Sequence, residues 1–374
     1  ILDAPDDDAP RLVFADWLDE HGQPQRAEFI RLQVRLARLS EDDPGRPALE
    51  GREWELLTVY RDDWRQSLPA WAREERHEFR RGFVAWLSIT AAQFLRHADA
   101  LFRVTPLRGV RLRALGRNAP TLAASPHLGR LGLLDLSRND LIAEDVRALT
   151  ASPHLAGLRE LNLHHNRLGA EGVGALASWQ QLAGITTLDL SRNRLDATAV
   201  KALAGSRHLD ALARLNLGHN GLGVEGARAL AAAPRLAGLT HLFLAGGAAS
   251  AAGVEALGAS SGLTGLTTLD LSDNGLGGEG ARLLAAAPLL GHLTALDLGG
   301  TLLAPAGAAA LAGSPHLGRL RRLGLRNADL GGEGAEVLAS ARLGSLAVLG
   351  LAANGIDAAG AQALAASPNL ANLT

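Results

Sequence analysis

The sequence predicts an α/β solenoid, a curved stack of strand–turn–helix units with a concave parallel β-sheet inside and convex helices outside, preceded by a small α-helical domain. Three observations carry this reading. The pattern L-x-x-L-x-L-x-x-N-x-L recurs at a nearly fixed interval; apolar residues make up 47% of the 374-residue chain while aromatics are only 4%; and four of the six tryptophans, Trp17, Trp54, Trp64 and Trp71, lie within residues 1–75. A core of Leu, Ala and Val suits identical layers, and an array whose layers touch only their neighbours escapes the size limit of a single core.

The repeat begins at Leu131, Leu158, Ile185, Leu212, Leu239, Leu266, Leu293, Leu320 and Leu346, so the interval is 27 residues seven times and 26 once. A chance apolar pattern would drift. The L-x-L centre, as in Leu134-Asp135-Leu136 or Leu188-Asp189-Leu190, alternates apolar and polar and so predicts a short strand with one buried and one open face. The asparagines that follow, Asn139, Asn166, Asn193, Asn220, Asn274 and Asn354, stand where the strand ends. Their side-chain amides can satisfy turn backbone groups buried between layers. A Gly-rich turn and an Ala/Leu run such as 225–233 then predict a helix. Pro234, like Pro126, Pro153, Pro288, Pro315 and Pro368, stops it.

On these residues, and on N-G-L-G-G-E-G-A-R-L-L-A-A-A-P in particular, the stretch 107–373 resembles the ribonuclease-inhibitor-like class of leucine-rich repeats. The resemblance implies a horseshoe scaffold used mostly for protein–protein binding through its concave face and rims. Three regions follow: a helical N-terminal domain over 1–75, a transitional capping layer over 76–106, and repeats over 107–374.

Within the first region, Asp8 followed by Ala9 and Pro10 predicts a capped helix that His21-Gly22 ends, and a second helix is expected from Arg26 to Leu39. The run D-D-D-A-P-R-L-V-F-A-D-W-L-D-E-H-G with A-E-F-I-R-L-Q is similar to a small domain that accompanies repeat arrays in certain bacterial proteins. That resemblance implies architecture and no activity. Phe83–Ile89 predicts a strand and Ala91–Arg103 an apolar-striped helix, a degenerate first layer that would cap the array.

Composition excludes several functions. The absence of cysteine removes disulfides, thiolate catalysis and cysteine-ligated metals. A formal charge of −2 provides no global field for nucleic acid or an anionic membrane, so any charge-driven partner must use a local patch. No apolar run is long enough to span a bilayer. With no methionine in the chain, Ile1 is not expected to be the translation start; a signal peptide upstream stays open, and a cytoplasmic location is the working expectation. No nucleophile elbow, P-loop or HExxH motif is present, and no cofactor is expected.

Binding residues are sought on the open face of the strands, which the core does not fix. The residue inside L-x-L runs Asp135, Asn162, Asp189, Asn216, Phe243, Asp270, Asp297, Gly324, Gly350, a polar row broken by one aromatic. Phe243, with Arg214, His241, His219, Arg192, His164, His165, Asn162 and Glu160 around it, forms the candidate partner-binding patch. The competing reading is drift on a solvated surface. Against it, the fifth repeat alone replaces both residues of the Asn-x-Leu ending, reading Gly247-Ala248-Ala249. A metal held by His164, His165, His219 and His241 is disfavoured, since neighbours on a strand point apart; no metal site is expected. The return-loop histidines His127, His154, His208 and His316 recur at one repeat position and read as structural. Arg31, Arg35 and Arg38 on one helix face, and Arg103, Arg108, Arg111, Arg113 and Arg117, read as solvated basic surface, with Glu28, Asp42 and Asp43 close in sequence.

The sequence therefore predicts a non-catalytic protein-binding scaffold. Two alternatives are a GTPase regulator, since horseshoes of this class include GTPase-activating proteins and would need an Arg or Asn on a rim loop, and a structural array in a larger bacterial assembly. One period past Leu346 falls on Leu373, the first leucine of a further repeat. Such an apolar edge is expected either to continue in the natural chain or to be covered by self-association.

Overall fold

A computed structural model describes all residues except Glu41, Asp42, Ala248 and Thr374. The chain divides into two units, Ile1–Asn139 with Ser152–Leu158, and Asp140–Ala151 with Arg159–Thr374.

The first unit opens with helices α1 (Ala9–Glu20), α2 (Pro24–Leu36), α3 (Arg46–Trp64) and α4 (Ala70–Arg73). Asp8 precedes α1 as expected, but its backbone is helical and its side chain makes no cap bond; Pro10 in the first turn supplies the start signal instead. Gly22, at φ +73°, provides the left-handed turn that ends this helix region. The second helix starts two residues early, at Pro24, and stops at Leu36 rather than Leu39. Ala15, Leu18, Ala27, Ile30 and Val34 form the α1–α2 core, and Phe29, Trp64 and Phe79 make an aromatic cluster beside it, with ring centroids 4.5 to 6.4 Å apart.

Strands β1 (His77–Arg80) and β2 (Phe83–Thr90) pair antiparallel. Their tight connection needs Gly82, at φ +87°, where a β-carbon would collide with Ile30. Helix α5 (Ala91–Val104) follows through a capping box: Gln93 N–H donates to Thr90 Oγ1 at 3.1 Å and Thr90 N–H donates to Gln93 Oε1 at 2.8 Å. Strand β3 (Gly109–Arg113), helix α6 (Ala119–Ala123) and strand β4 (Leu133–Asp135) complete the unit, with β2, β3 and β4 parallel. The transition from hairpin to parallel repeat thus lies in the stretch expected to cap the array.

The second unit holds helix α7 (Ala143–Thr150) and then strictly alternates: β5 (Glu160–Asn162), α8 (Gly169–Ala177), β6 (Thr187–Asp189), α9 (Ala197–Ala204), β7 (Arg214–Asn216), α10 (Gly223–Ala231), β8 (His241–Phe243), α11 (Ala251–Gly258), β9 (Thr268–Asp270), α12 (Gly277–Ala285), β10 (Ala295–Asp297), α13 (Ala304–Ala312), β11 (Arg322–Gly324), α14 (Gly331–Ser340), β12 (Val348–Gly350) and α15 (Ala358–Ala366). All these strands pair parallel, each with the next, in one register that aligns Leu161, Leu188, Leu215, Leu242, Leu269, Leu296, Leu323 and Leu349. From Leu161 to Leu323 these leucines are buried, so the register is fixed by the apolar face: a one-residue slip would expose all of them. The expected leucine-rich-repeat solenoid is the fold that forms.

Two sets of side chains stitch the layers. Asn193 Nδ2 donates to Leu163 O of the preceding layer at 2.8 Å and to Leu190 O of its own at 3.0 Å; Asn220 and Asn274 repeat this on Leu190 and Leu244. The second set was not anticipated. Serines of the S-P-H-L and related returns reach back a layer, Ser206 Oγ to Ala177 O at 2.5 Å, Ser260 Oγ to Ala231 O at 2.6 Å and Ser314 Oγ to Ala285 O at 2.6 Å. The histidine two positions on contributes its backbone: His208 and His316 N–H donate to these serine hydroxyls.

Candidate functional site

On the open face of the second unit, the middle polar row has a structural duty. Asn162 Oδ1 accepts the N–H of His164 at 2.9 Å, Asp189 that of Ser191 at 2.8 Å, Asn216 that of Gly218 at 3.0 Å, Asp270 that of Ser272 at 2.9 Å, and Asp297 that of Gly299 at 2.8 Å. Each closes an Asx turn at the strand end. Asn162 is therefore tied into its own turn. Phe243 stands in this row, in register between Asn216 and Asp270, and its ring can make no such bond. It is half-buried.

Around it, β7 and β8 bring Arg214 beside His241. The His241 and Phe243 rings lie 6.4 Å apart, and His241 Nδ1 is 2.8 Å from Thr240 Oγ1. Glu160 begins β5, two strands before β7. His164 turns inward, with Nδ1 2.7 Å from Ser191 Oγ, and its ring is 5.8 Å from that of His165. Among the described residues no group of three or more His, Asp and Glu side chains gathers in a metal-binding arrangement.

The remaining predicted residues, His165, Arg192 and His219, are exposed on the turns after β5, β6 and β7. There they border a hollow of about 500 Å³ together with Arg167, Arg194, Asp140 and Gly246. Arg167 pairs with Asp140 at 2.8 Å. Among the described residues, no carboxylate reaches Arg192 or Arg194 within ion-pair distance. His165, Arg192, Arg194 and His219 all have left-handed backbone, φ 54° to 59°, a conformation that costs a side-chain-bearing residue on the order of 1 kcal/mol. The next turn meets the same requirement with Gly246, φ 58°. Sequence reading missed Arg167 and Arg194; the signal was parity, since the residues on either side of each turn asparagine share one rim.

In the two other basic clusters, both in the first unit, five of the eight arginines are paired internally. Arg31 pairs with Asp16 and Asp19, both at 2.6 Å, and Arg38 with Asp8 at 2.8 Å. Arg108 pairs with Asp6, Arg111 with Asp135 and Arg113 with Glu75. Two residues weighed with these surfaces, Asp42 and Ala248, lie outside the described residues.

Comparison with known proteins agrees with this architecture. A family model described as "Leucine Rich repeat" matches residues 156–177, 185–204, 212–231 and 263–285. No curated protein sequence matches the chain. Among solved structures, an internalin from Listeria monocytogenes aligns at 19% identity with TM-score 0.47, covering 72% of this chain and 66% of that one, just under two thirds of its length. A chain of the Rad7 and Elc1 complex in yeast aligns at 18% identity with TM-score 0.46, over 96% of this chain and 89% of that chain. The TLR13–ssRNA13 complex aligns at 21% identity with TM-score 0.42, over 66% and 36%. At such identities the likeness concerns the fold alone. Among the described residues, no helix is long and apolar enough to cross a membrane.

Proposed function

We propose that the chain is a non-catalytic scaffold that binds a protein partner across the strand face of its second unit. Phe243 is the apolar anchor, Arg214 and His241 flank it, and the basic turns at His165, Arg167, Arg192, Arg194 and His219 receive acidic groups of the partner. We read the 27-residue unit as the ribonuclease-inhibitor-like kind and residues 1–75 as a repeat-companion domain.

One observation carries this reading. At the position where five other strands of the second unit hold a turn-capping Asn or Asp, the eighth strand holds a phenylalanine that caps nothing and keeps part of its ring in water. A layer that forgoes a hydrogen bond worth roughly 1 kcal/mol in favour of an aromatic surface has the character of an interface hot spot.

Phe243→Asn tests this in one substitution. The new amide can close the missing turn, so thermal stability should hold or rise by up to ~1 kcal/mol. Affinity for a partner captured from the source organism and titrated by calorimetry should fall by more than ~1 kcal/mol, about fivefold or more. Unchanged affinity removes this surface as the interface. A loss of stability would instead make Phe243 a packing residue.

The GTPase-regulating alternative rests on the unpaired rim arginines. If it holds, replacing Arg192 and Arg194 together with alanine should abolish any stimulation of GTP hydrolysis by the captured partner; undiminished stimulation removes those two residues from the role.

A further inference from the structure

The turns that follow β5, β6 and β7 are built alike. His165 N–H donates to Ser191 O at 2.9 Å, Arg192 N–H to Gly218 O at 3.0 Å and His219 N–H to Ala245 O at 2.5 Å. These three residues therefore stand in one column, a layer or about 4.8 Å apart. Arg167 and Arg194 follow two residues on in their own layers, and all five side chains are exposed around the hollow of about 500 Å³, a volume that suits a small group. Gly246 continues the column, and the His219 ring fills the space where its β-carbon would stand, with Nδ1 2.6 Å from that point.

Hydrogen-bond donors outnumber acceptors here. Asp140 is the one carboxylate of the described lining, and Arg167 takes it at 2.8 Å. The carboxylates next along the chain are turned to other donors: Asp189 accepts Ser191 N–H and the Asn216 amide at 2.8 and 3.0 Å, and Asp196 caps α9 by accepting Ala199 N–H at 3.0 Å. Among the described residues, the guanidiniums of Arg192 and Arg194 have no hydrogen-bond or ion-pair partner. Each presents a planar fork of N–H groups. A carboxylate has two oxygens, which one fork occupies; the three oxygens and nearly double charge of a phosphate monoester engage both forks and the imidazoles on the flanking layers. The column also ends soon. After Gly246 comes Asp273, held in the same way by its N–H on Gly299 O at 2.7 Å and exposed. A nucleic-acid strand following the turns would run out of cations and meet a carboxylate, whereas a single phosphate fits the short span.

We propose that this hollow receives a phosphorylated serine, threonine or tyrosine of the protein partner, its phosphate held by Arg192 and Arg194 with His165 and His219 on either side. The site rests on the partner-binding role proposed above, and it narrows the acidic group that the basic turns receive to a phosphate.

Blocked, alanine-flanked peptides carrying phosphoserine, glutamate or serine, titrated into the full chain and followed through the ring C–H resonances of His165 and His219, test the site without a partner. The phosphoserine peptide is expected to shift both resonances saturably and to bind at least ~tenfold more tightly than the glutamate peptide, with no saturable shift from serine. Arg192→Asn combined with Arg194→Asn preserves the turns, since asparagine tolerates left-handed backbone, and should weaken phosphoserine binding at least ~tenfold. Arg235→Gln, in an exposed pair with Asp210, should leave it unchanged. Equal binding of the phosphoserine and glutamate peptides, undiminished binding in the double variant, or tighter binding of a short oligothymidylate would each overturn the proposal. Such a failure leaves the Phe243 interface standing, and a failure of that interface in Phe243→Asn leaves the peptide result untouched, so the two are told apart.

Discussion

Asn220→Ala is expected to cost the array about 4 kcal/mol, far more than deleting an ordinary polar side chain. The buried amide serves two layers. Its Nδ2 donates to Leu190 O at 3.1 Å, Leu217 O at 2.9 Å and Gly218 O at 3.2 Å, and its Oδ1 accepts Asn193 N–H at 2.8 Å and Leu195 N–H at 3.0 Å. Truncation orphans two N–H donors where water does not reach, each at roughly 1–3 kcal/mol. At a pH where its carboxyl is protonated, Asn220→Asp keeps the acceptor and has one O–H donor in place of two N–H donors, so it should fall between wild type and alanine. Urea denaturation reads both variants. A loss below ~1 kcal/mol for alanine would mean that the turns are held by backbone pairing and that the amides are incidental.

Leu271→Ala should be nearly as severe, at ~2–5 kcal/mol. Leu271 is fully buried directly after β9, and its backbone N–H donates to Asp297 O of the next strand at 2.9 Å. The location of the damage is the sharper test. Because each layer packs on its two neighbours, hydrogen exchange should accelerate first in β8, β9 and β10, with β5 and the α1–α2 core of the first unit retaining protection. Uniform loss across both units would contradict nearest-neighbour stability.

The repeat was legible in the sequence because one chemistry recurs nine times. Leucine at a fixed period, a strand-ending asparagine and a helix-stopping proline each have one sensible position in a stacked layer. What the sequence hid were the partners of polar groups. Asn162 and Asp189 look like a surface waiting for a ligand until their oxygens are seen closing the turns two residues on, a bond that any exposed Asn could also decline. Arg31 and Arg38 look like a basic face because Asp16, Asp19 and Asp8 come from another helix. Arg11 and Arg26 were hidden for the opposite reason: arginine is a surface residue on average, and only the packing of Phe83 and Trp64 reveals these two as interior. Phe243 was visible as an anomaly in a row, and the structure adds what it displaced. Arg167 and Arg194 lie past the strands, and their mark in the sequence is the parity that sets the residues on either side of each turn asparagine on one rim.

The ties between layers are unevenly spaced, and this bears on how the array responds to load. Side-chain amides bridge β5 to β6, β6 to β7, β8 to β9 and β11 to β12 through Asn193, Asn220, Asn274 and Asn354. Between β7 and β8 the bridging position is Gly247, and the hydroxyl of Thr301 donates within its own layer, to Leu298 O. Under tension applied across the second unit, such gaps act as perforations: extension should proceed in discrete blocks bounded by the layers without an amide tie, the seam between β7 and β8 being held instead by the hydroxyls of Thr240 and Ser260 on Ala213 O and Ala231 O. That seam runs beside Phe243, and a partner clamped there as proposed would act as a splint across it. Single-molecule pulling would record a first step of higher force when Gly247 is replaced by Asn with compensating changes in the turn; an unaltered force would show that leucine packing alone sets the strength of the seam.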